Sequence, residues 1–225
     1  MKRRLGVFLF ALFCFLLPTV HAAEPHRNNP ATKEKRIALT FDDGPHQSYT
    51  QEILAILERY GVRATFFIIG ENAKRFPDRI QTIAEQGHEL GNHTYTHASV
   101  NKLSEEALVK ELEDTSRVLE EITGKRPTLF RPPFGAYNDR CVSKIEALGY
   151  RCVLWSQDSR DWQLPPAEKI ITSMQANVTA GDILLFHDFN RENSPTPKAL
   201  EELIPKLLQN GYQFVTVSEL FQEEL

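Results

Sequence analysis

The stretch that sets the fold is IALTFDDGP, residues 37–45, in which a short apolar run leads into two adjacent carboxylates and a Gly-Pro turn. Residues 37–41 are apolar or β-branched and predict a β-strand. A helical pattern follows at 51–60, and a second strand is predicted at 64–69. Strand, turn and helix in this order are typical of an α/β fold.

The alternation of strands and helices continues to the C-terminus without a shift in composition or an internal repeat. The clearest helix covers 104–123, where apolar residues recur at spacings of three and four between an N-cap at Ser104 and a stop at Gly124. We therefore predict one α/β domain at 36–225, with a parallel sheet closed or nearly closed into a barrel. Further strands are predicted at 129–130, 152–155, 182–186 and 213–217, and further helices at 77–86, 139–148, 166–178 and 197–209.

The N-terminal region has the three-part layout of a secretory signal. Three cations at residues 2–4 precede an apolar run at 5–17 and a small-residue stretch ending in Ala22 and Ala23. The run is shorter than the roughly 20 residues needed to span a bilayer. We predict a signal peptide at 1–22, a flexible polar leader at 23–35, and an exported protein that is secreted, periplasmic or cell-wall associated, with no membrane attachment after cleavage.

Charge and cysteine content narrow the functional classes. The chain has 26 Lys and Arg against 30 Asp and Glu, a net charge of -4 at pH 7. Nucleic acid is therefore disfavoured as a partner, because it requires a basic face. After signal removal two cysteines remain, Cys141 and Cys152, which form either a disulfide or two buried small side chains. The sequence leaves both alternatives open.

Two histidines separated by three residues, His93 and His97, follow a stretch of apolar and small residues. They reach one point if the chain between them makes a helical turn, and imidazole is a common zinc ligand. Together with Asp42 and Asp43 they suggest a site of two histidines and one carboxylate. Three protein ligands with an open position are typical of catalytic rather than structural zinc.

Three more polar segments each follow a predicted strand: RPPFG at 131–135, DSRDW at 158–162 and LFHD at 185–188. In a barrel, the loops after the strands carry the chemistry. The paired prolines stiffen the first segment and hold the Arg131 guanidinium and the Phe134 amide in place. Taken singly, Trp162 and Leu185 are better explained by core packing.

Five segments in this order, TFDDGP, HTYTH, RPPFG, DSRDW and LFH, resemble the motifs of the polysaccharide deacetylases of carbohydrate esterase family 4, the NodB-homology domain. The resemblance covers the chain from Arg36 to the C-terminus. It implies a single-domain α/β fold, a distorted (β/α) barrel with fewer than eight repeats.

The resemblance also implies roles for individual residues. Asp42 would be the catalytic base, oriented by Arg131, and the backbone N–H of Phe134 would help to hold the oxyanion. His187 would be the general acid, tuned by Asp161. The metal ligands would be Asp43, His93 and His97, and the pocket around the acetyl methyl group would be lined by Trp162 and Leu185.

The expected activity is zinc-dependent hydrolytic N-deacetylation of N-acetylglucosamine units in an extracellular or cell-wall polysaccharide, of the peptidoglycan or chitin type. Cobalt or nickel are alternatives to zinc. Two other functions stay open: O-acetyl esterase activity on acetylated xylan, which uses the same residues, and a non-catalytic glycan-binding module. The polymer, its chain length and the oligomeric state are not indicated by the sequence.

Overall fold

The computed structural model of the protein describes residues 25–29, 34–189 and 192–222. In this part of the chain eight strands form one sheet in which every pairing is parallel. The strands are β1 (Arg36–Asp42), β2 (Thr65–Ile68), β3 (Glu89–Asn92), β4 (Leu129–Phe130), β5 (Arg151–Cys152), β6 (Gln157–Asp158), β7 (Ile183–His187) and β8 (Gln213–Val215). Seven follow the order β5-β4-β3-β2-β1-β7-β6, and β8 pairs with the start of β1.

The sheet is curled into a half-barrel with helices around it, and the prediction of a parallel barrel with fewer than eight repeats is confirmed. The helices are α1 (Tyr49–Tyr60), α2 (Gly70–Arg75), α3 (Pro77–Glu85), α4 (Glu105–Thr123), α5 (Asp139–Ala147), α6 (Ala167–Asn177), α7 (Thr196–Gln209) and α8 (Val217–Phe221). Among the described residues, single 3₁₀ turns cover Val100–Lys102 and Asp161–Gln163, and a tight turn at Pro133–Gly135 contains Phe134 with φ 62°.

The two faces of β1 serve different purposes. Ile37, Leu39 and Phe41 pack in the large cluster shared with α1, α3, α6 and α7, outside the sheet. Because side chains alternate along a strand, Thr40 and Asp42 share the opposite face, inside the curl. This alternation directs the last residue of β1 towards the barrel interior.

Strand register brings the predicted motifs to one edge of the sheet. Asp42 at the end of β1 is paired with His187 at the end of β7, and on the other side with Phe67 of β2. Next along the sheet, Phe67 is paired with Gly91 of β3, where a Cβ would lie 2.5 Å from the Phe67 ring. Only glycine lets β3 approach β2 this closely, so the segment leading to His93 begins beside the end of β2, one strand away from the end of β1.

Residues 25–29 differ from the predicted flexible leader. His26 forms a parallel bridge with Val153, and Asn28 forms an antiparallel bridge with Asp182. The His26 N–H donates to the Cys152 carbonyl at 2.9 Å. The backbone groups of the segment after β5 would otherwise lack partners, and pairing satisfies them. The prediction of flexibility is therefore wrong for residues 25–29, while the predicted signal peptide at 1–22 lies outside the described residues.

Other elements match the sequence patterns to different degrees. The α4 prediction is confirmed with both caps: the Ser104 hydroxyl accepts the Ala107 N–H, and Gly124 has φ 71°. The short elements β3, β6, α2 and α8 were not predicted, since two to six residues carry no period.

Cys141 and Cys152 are both buried and free, which is the second of the two alternatives. Among the described residues, no helix has the length and apolarity to cross a membrane.

Candidate active site and metal centre

Three predicted metal ligands meet at the carboxyl edge of the sheet. The Asp43 Oδ1 atom lies 3.1 Å from His97 Nε2 and 3.4 Å from His93 Nε2. One possible ligand atom from each of the three residues lies within 4.8 Å of the others. The backbone conformation is unusual at two of them, with φ 75° at Asp43 and φ 60° at His97.

The hydrogen bonds of the triad favour a cation between its side chains. His93 Nδ1 lies 2.7 Å from the Arg131 carbonyl, which can only accept, so Nδ1 carries the hydrogen and Nε2 presents a lone pair. Asp43 Oδ1 is buried and has no hydrogen-bond partner among the described residues. Burial alone would raise the pKa of Asp43, and hydrogen bonds and charge from protonated His93 and His97 would hold it well below its ordinary value. A cation held by the neutral rings would stabilise the ionised carboxylate in place of those protons. An ionised carboxylate beside imidazole lone pairs fits a divalent metal ion.

The loop between the two histidines is held by a residue from another part of the chain. Glu111 of α4 accepts hydrogen bonds from the backbone N–H groups of Tyr95 and Thr96 at 2.7 and 2.8 Å. The chain between His93 and His97 does not form a helical turn, because Thr94 and His97 both have positive φ and the segment is a bent loop. Glu111 satisfies the amides that this bend leaves without helical partners.

Asp42 is paired with a fully buried arginine. Arg131 Nη1 donates to Asp42 Oδ1 at 2.7 Å and to the Thr40 hydroxyl at 2.8 Å. Its Nη2 donates to the Leu154 carbonyl at 2.9 Å, and its guanidinium lies 4.0 Å from the centre of the Phe67 ring. These contacts fix the orientation of Asp42, whose other oxygen, Oδ2, lies 3.8 Å from His93 Nε2. Asp42 is therefore beside the triad but farther from the histidines than Asp43 is.

His187 is paired with a buried carboxylate. Asp161 Oδ1 lies 2.7 Å from His187 Nδ1, and Asp161 Oδ2 accepts the His187 N–H at 2.8 Å and the Thr196 hydroxyl at 2.6 Å. Burial alone would lower the pKa of His187, but the hydrogen bond and charge of Asp161, with the charges of Asp42 and Asp43, raise it to about 9. His187 therefore holds a proton near neutral pH.

A cavity of about 460 Å³ contains most of the predicted site residues. Two aromatic side chains at its wall are largely exposed, Phe134 at 70% and Trp162 at 51%. The Phe134 ring lies 4.5 Å from the His97 ring, centre to centre. Arg131 and Asp161 are fully buried behind this surface. The lining consists of Asp42, Asp43, His93, His97, Phe134, Trp155, Asp158, Trp162, Leu185 and His187.

Several residues that shape the site were not predicted from the sequence. Trp155 lines the cavity and follows β5, so the rule that chemistry lies after the strands would have found it. Asp158 was noted in its motif without a role and also lines the cavity. Glu111 and Thr196 come from helices far along the chain, and nothing in their local sequence indicates that they hold site residues.

Comparison with known proteins agrees with this geometry. The family model described as polysaccharide deacetylase matches residues 29–153. A peptidoglycan-N-acetylglucosamine deacetylase of Bacillus cereus is 43% identical over 191 residues, which cover 84% of this chain and 89% of that protein.

Solved structures give the same result at the level of the fold. A crystal structure of the Bc1960 peptidoglycan N-acetylglucosamine deacetylase matches with a TM-score of 0.85 and 34% identity, covering 88% of this chain and 92% of that one. A CE4 family pseudoenzyme from Bacillus anthracis matches with a TM-score of 0.83 and 29% identity, covering 91% and 70% of the two chains. This chain thus belongs to the polysaccharide deacetylase family, carbohydrate esterase family 4.

Proposed function

We propose that this protein is a metal-dependent hydrolase that removes acetyl groups from N-acetylglucosamine units of a cell-wall or other extracellular polysaccharide, of the peptidoglycan or chitin type. The observation that carries the proposal is that one cavity is lined by the Asp43–His93–His97 triad, by the arginine-paired Asp42 and by the aspartate-paired His187. A ligand set, a base and an acid are the parts needed for hydrolysis of an amide.

The metal we propose is zinc, with cobalt or nickel as alternatives, and Asp43, His93 and His97 would hold it. Zinc lowers the pKa of coordinated water from 15.7 to about 7, which supplies a nucleophile near neutral pH. Two imidazoles and one carboxylate suit zinc better than magnesium or calcium, which prefer oxygen ligands.

Asp42 is proposed as the base that takes a proton from the attacking water. Arg131 donates to Asp42 Oδ1, which orients this carboxylate and leaves Oδ2 to accept the proton. Negative charge develops on the carbonyl oxygen of the acetamide as water attacks. The backbone N–H of Phe134 is proposed to stabilise this charge, a contribution whose removal typically costs about 10²–10³ in rate.

His187 is proposed as the acid that protonates the leaving amine. An amine is a poor leaving group without a proton, and His187 retains one because Asp161 accepts from its Nδ1 atom. The Nε2 hydrogen is then available for transfer at the cavity, which His187 lines. Trp162 and Leu185 are proposed to surround the acetyl methyl group, since both contribute apolar surface to the same cavity.

The substrate class and location follow from two observations of different kinds. Relatives over most of the chain are named for peptidoglycan N-acetylglucosamine, and the sequence predicts a secretory signal. We therefore propose an exported protein that acts on a glycan outside the cytoplasm. A non-catalytic role is less well supported, because both the base and the acid are present with their partners.

The test is acetate release by the mature domain from peptidoglycan, chitin oligomers and acetylated xylan, each with added zinc and with a chelator. We expect chelator-sensitive acetate from an N-acetylated glycan, restored by zinc. The matched control is Asp42→Asn, which keeps the shape of the side chain. Acetate only from xylan would replace the amide assignment with an ester, and no acetate from the zinc-loaded protein would favour a binding module.

A further inference from the structure

A buried carboxylate next to the proposed acid has no part in the scheme above. Asp188 follows His187 directly, is 0% exposed and does not line the cavity. Its Oδ2 atom accepts the Thr50 hydroxyl at 2.6 Å, and the Thr50 oxygen in turn accepts the His46 N–H at 2.7 Å. Asp188 is thus connected to the loop that leads from β1 into α1.

Asp188 also packs against the turn that follows Asp43. A Cβ on Gly44 would lie 2.2 Å from both carboxylate oxygens of Asp188, so the carboxylate rests on the glycine itself. Gly44 does not have a positive φ, and its lack of a side chain is explained by this close approach. The Asp188 N–H also donates to the Asp42 carbonyl at 3.3 Å.

These contacts lie on both sides of a strained backbone position. Asp43 has φ 75°, a conformation that a residue with a side chain adopts only when its surroundings enforce it. Asp188 contacts the chain before it, at Asp42, and after it, at Gly44 and Thr50. The remaining oxygen of Asp188, Oδ1, has no hydrogen-bond partner among the described residues, an arrangement that is costly for a buried polar atom. An apolar residue would fill this space without that cost.

We propose that Asp188 is a positioning residue that fixes the turn carrying Asp42 and Asp43 relative to His187. The side chains of Asp42, Asp43 and His187 have to keep their relative positions for the reaction. Asp188 joins the end of β7 to the turn after β1. This positioning role rests on the proposed function only where kcat of the deacetylation is the quantity measured.

The first test compares Asp188→Ala with Asp182→Ala. Asp182 is a matched control, because it is also a buried carboxylate at an end of β7 and accepts hydroxyl and backbone hydrogen bonds, but at the opposite end of the strand. Both variants are expected to lower Tm. We expect only Asp188→Ala to reduce kcat, by about 10–100-fold with little change in KM, and to weaken zinc binding by a similar factor, as loss of outer ligand support does.

Conservative variants test the contact itself. Burial raises the pKa of Asp188 to about 7, so Asp188→Asn, a neutral side chain of the same shape, is expected to keep kcat within about threefold. Thr50→Val removes the hydroxyl donor at nearly constant volume and is expected to lower kcat and zinc affinity in the direction of Asp188→Ala. These two variants carry the test if Asp188→Ala does not fold.

A double mutant tests the packing on Gly44. Gly44→Ala alone places a methyl group against the carboxylate, and Asp188→Ala makes room for it. The Gly44→Ala/Asp188→Ala protein should therefore have a kcat and a zinc affinity no lower than those of Asp188→Ala alone. Independent sites would instead give additive losses in both quantities. Additive losses, or a drop in Tm for Asp188→Ala with kcat and zinc affinity unchanged, would overturn the proposal. Zinc affinity is measured by chelator competition, so a failure of the proposed reaction leaves this readout intact.

Discussion

His93 and His187 lie in the same cavity and differ in the partner of one nitrogen atom. In both rings Nδ1 has an acceptor at 2.7 Å, the Arg131 carbonyl for His93 and the Asp161 carboxylate for His187. A carbonyl fixes the tautomer without adding a charge, which leaves a lone pair on Nε2 for a metal. A carboxylate adds a full negative charge, and with the charges of Asp42 and Asp43 it raises the pKa of the buried His187 to about 9. The acceptor at Nδ1 thus distinguishes the proposed metal ligand, His93, from the proposed acid, His187.

The adjacent carboxylates Asp42 and Asp43 show the same principle. Asp42 is paired with the buried Arg131, and Asp43 faces two imidazoles. Like charges this close repel unless each has its own counter-charge. The arginine supplies one, and the proposed cation supplies the other. Neighbours on the sheet, rather than residue type, therefore determine what each carboxylate does.

The largest effect is expected for His93→Ala, which removes a proposed ligand. Two protein ligands would remain, so we expect the purified variant to lose its zinc and its deacetylase activity to fall to background. Metal content by elemental analysis and acetate release measure the two effects. Retention of stoichiometric zinc by His93→Ala would contradict the ligand assignment.

Asp42→Asn separates the base from the ligands. We expect zinc to be retained and kcat to fall by about 10²–10⁴, the usual contribution of a positioned base. The amide keeps the shape of the side chain and can still contact Arg131. If Asp42→Asn and His93→Ala lose zinc equally, Asp42 and Asp43 do not have separate roles.

His187→Ala tests the acid by changing the leaving group. On an N-acetyl glycan we expect kcat to fall by about 10²–10⁴, and on an activated acetyl ester by at least tenfold less, because that leaving group needs little protonation. Turnover of both substrates by the wild type and the variant provides the comparison. Equal losses on amide and ester would remove the acid assignment.

Asp161→Asn is expected to have the smallest effect on activity of these variants. It tests the difference between the two histidines most specifically, because it changes only the partner of His187. The raised pKa of His187 means that its acid form is present below about pH 9 and is lost as the pH rises through that value. Without the carboxylate, the alkaline limb of kcat/KM should move down by about one pH unit or more, towards 6.5.

The matched control is Thr196→Val, which removes a hydrogen bond to Asp161 but no charge. It should move the alkaline limb less than Asp161→Asn does. The same linkage applies to stability, since protonated His187 stabilises the fold below its unfolded pKa and this contribution is lost as the pH rises through 9. An unchanged limb in Asp161→Asn would show that another group controls it.

Sequence patterns predicted a parallel sheet closed or nearly closed into a barrel, with the five motifs after its strands, because apolar strands and helix caps are local signals. The pairing of His26 was not predicted, because its partner segment after β5 lies more than 125 residues away in the sequence. The contacts made by Glu111, Thr196 and Asp188 were also not predicted, although Asp188 belongs to the LFHD segment at 185–188. Each acts through a contact between distant segments, for which the local sequence has no signal.

The most direct test of the division between the two histidines is a ¹⁵N NMR titration of the histidine rings in the zinc-loaded protein. At pH 7 we predict that both ring nitrogens of His187 carry hydrogen, whereas His93 carries hydrogen only on Nδ1, and that Asp161→Asn lowers the pKa of His187 alone. A His187 ring that is neutral at pH 7 in the wild type would contradict the account.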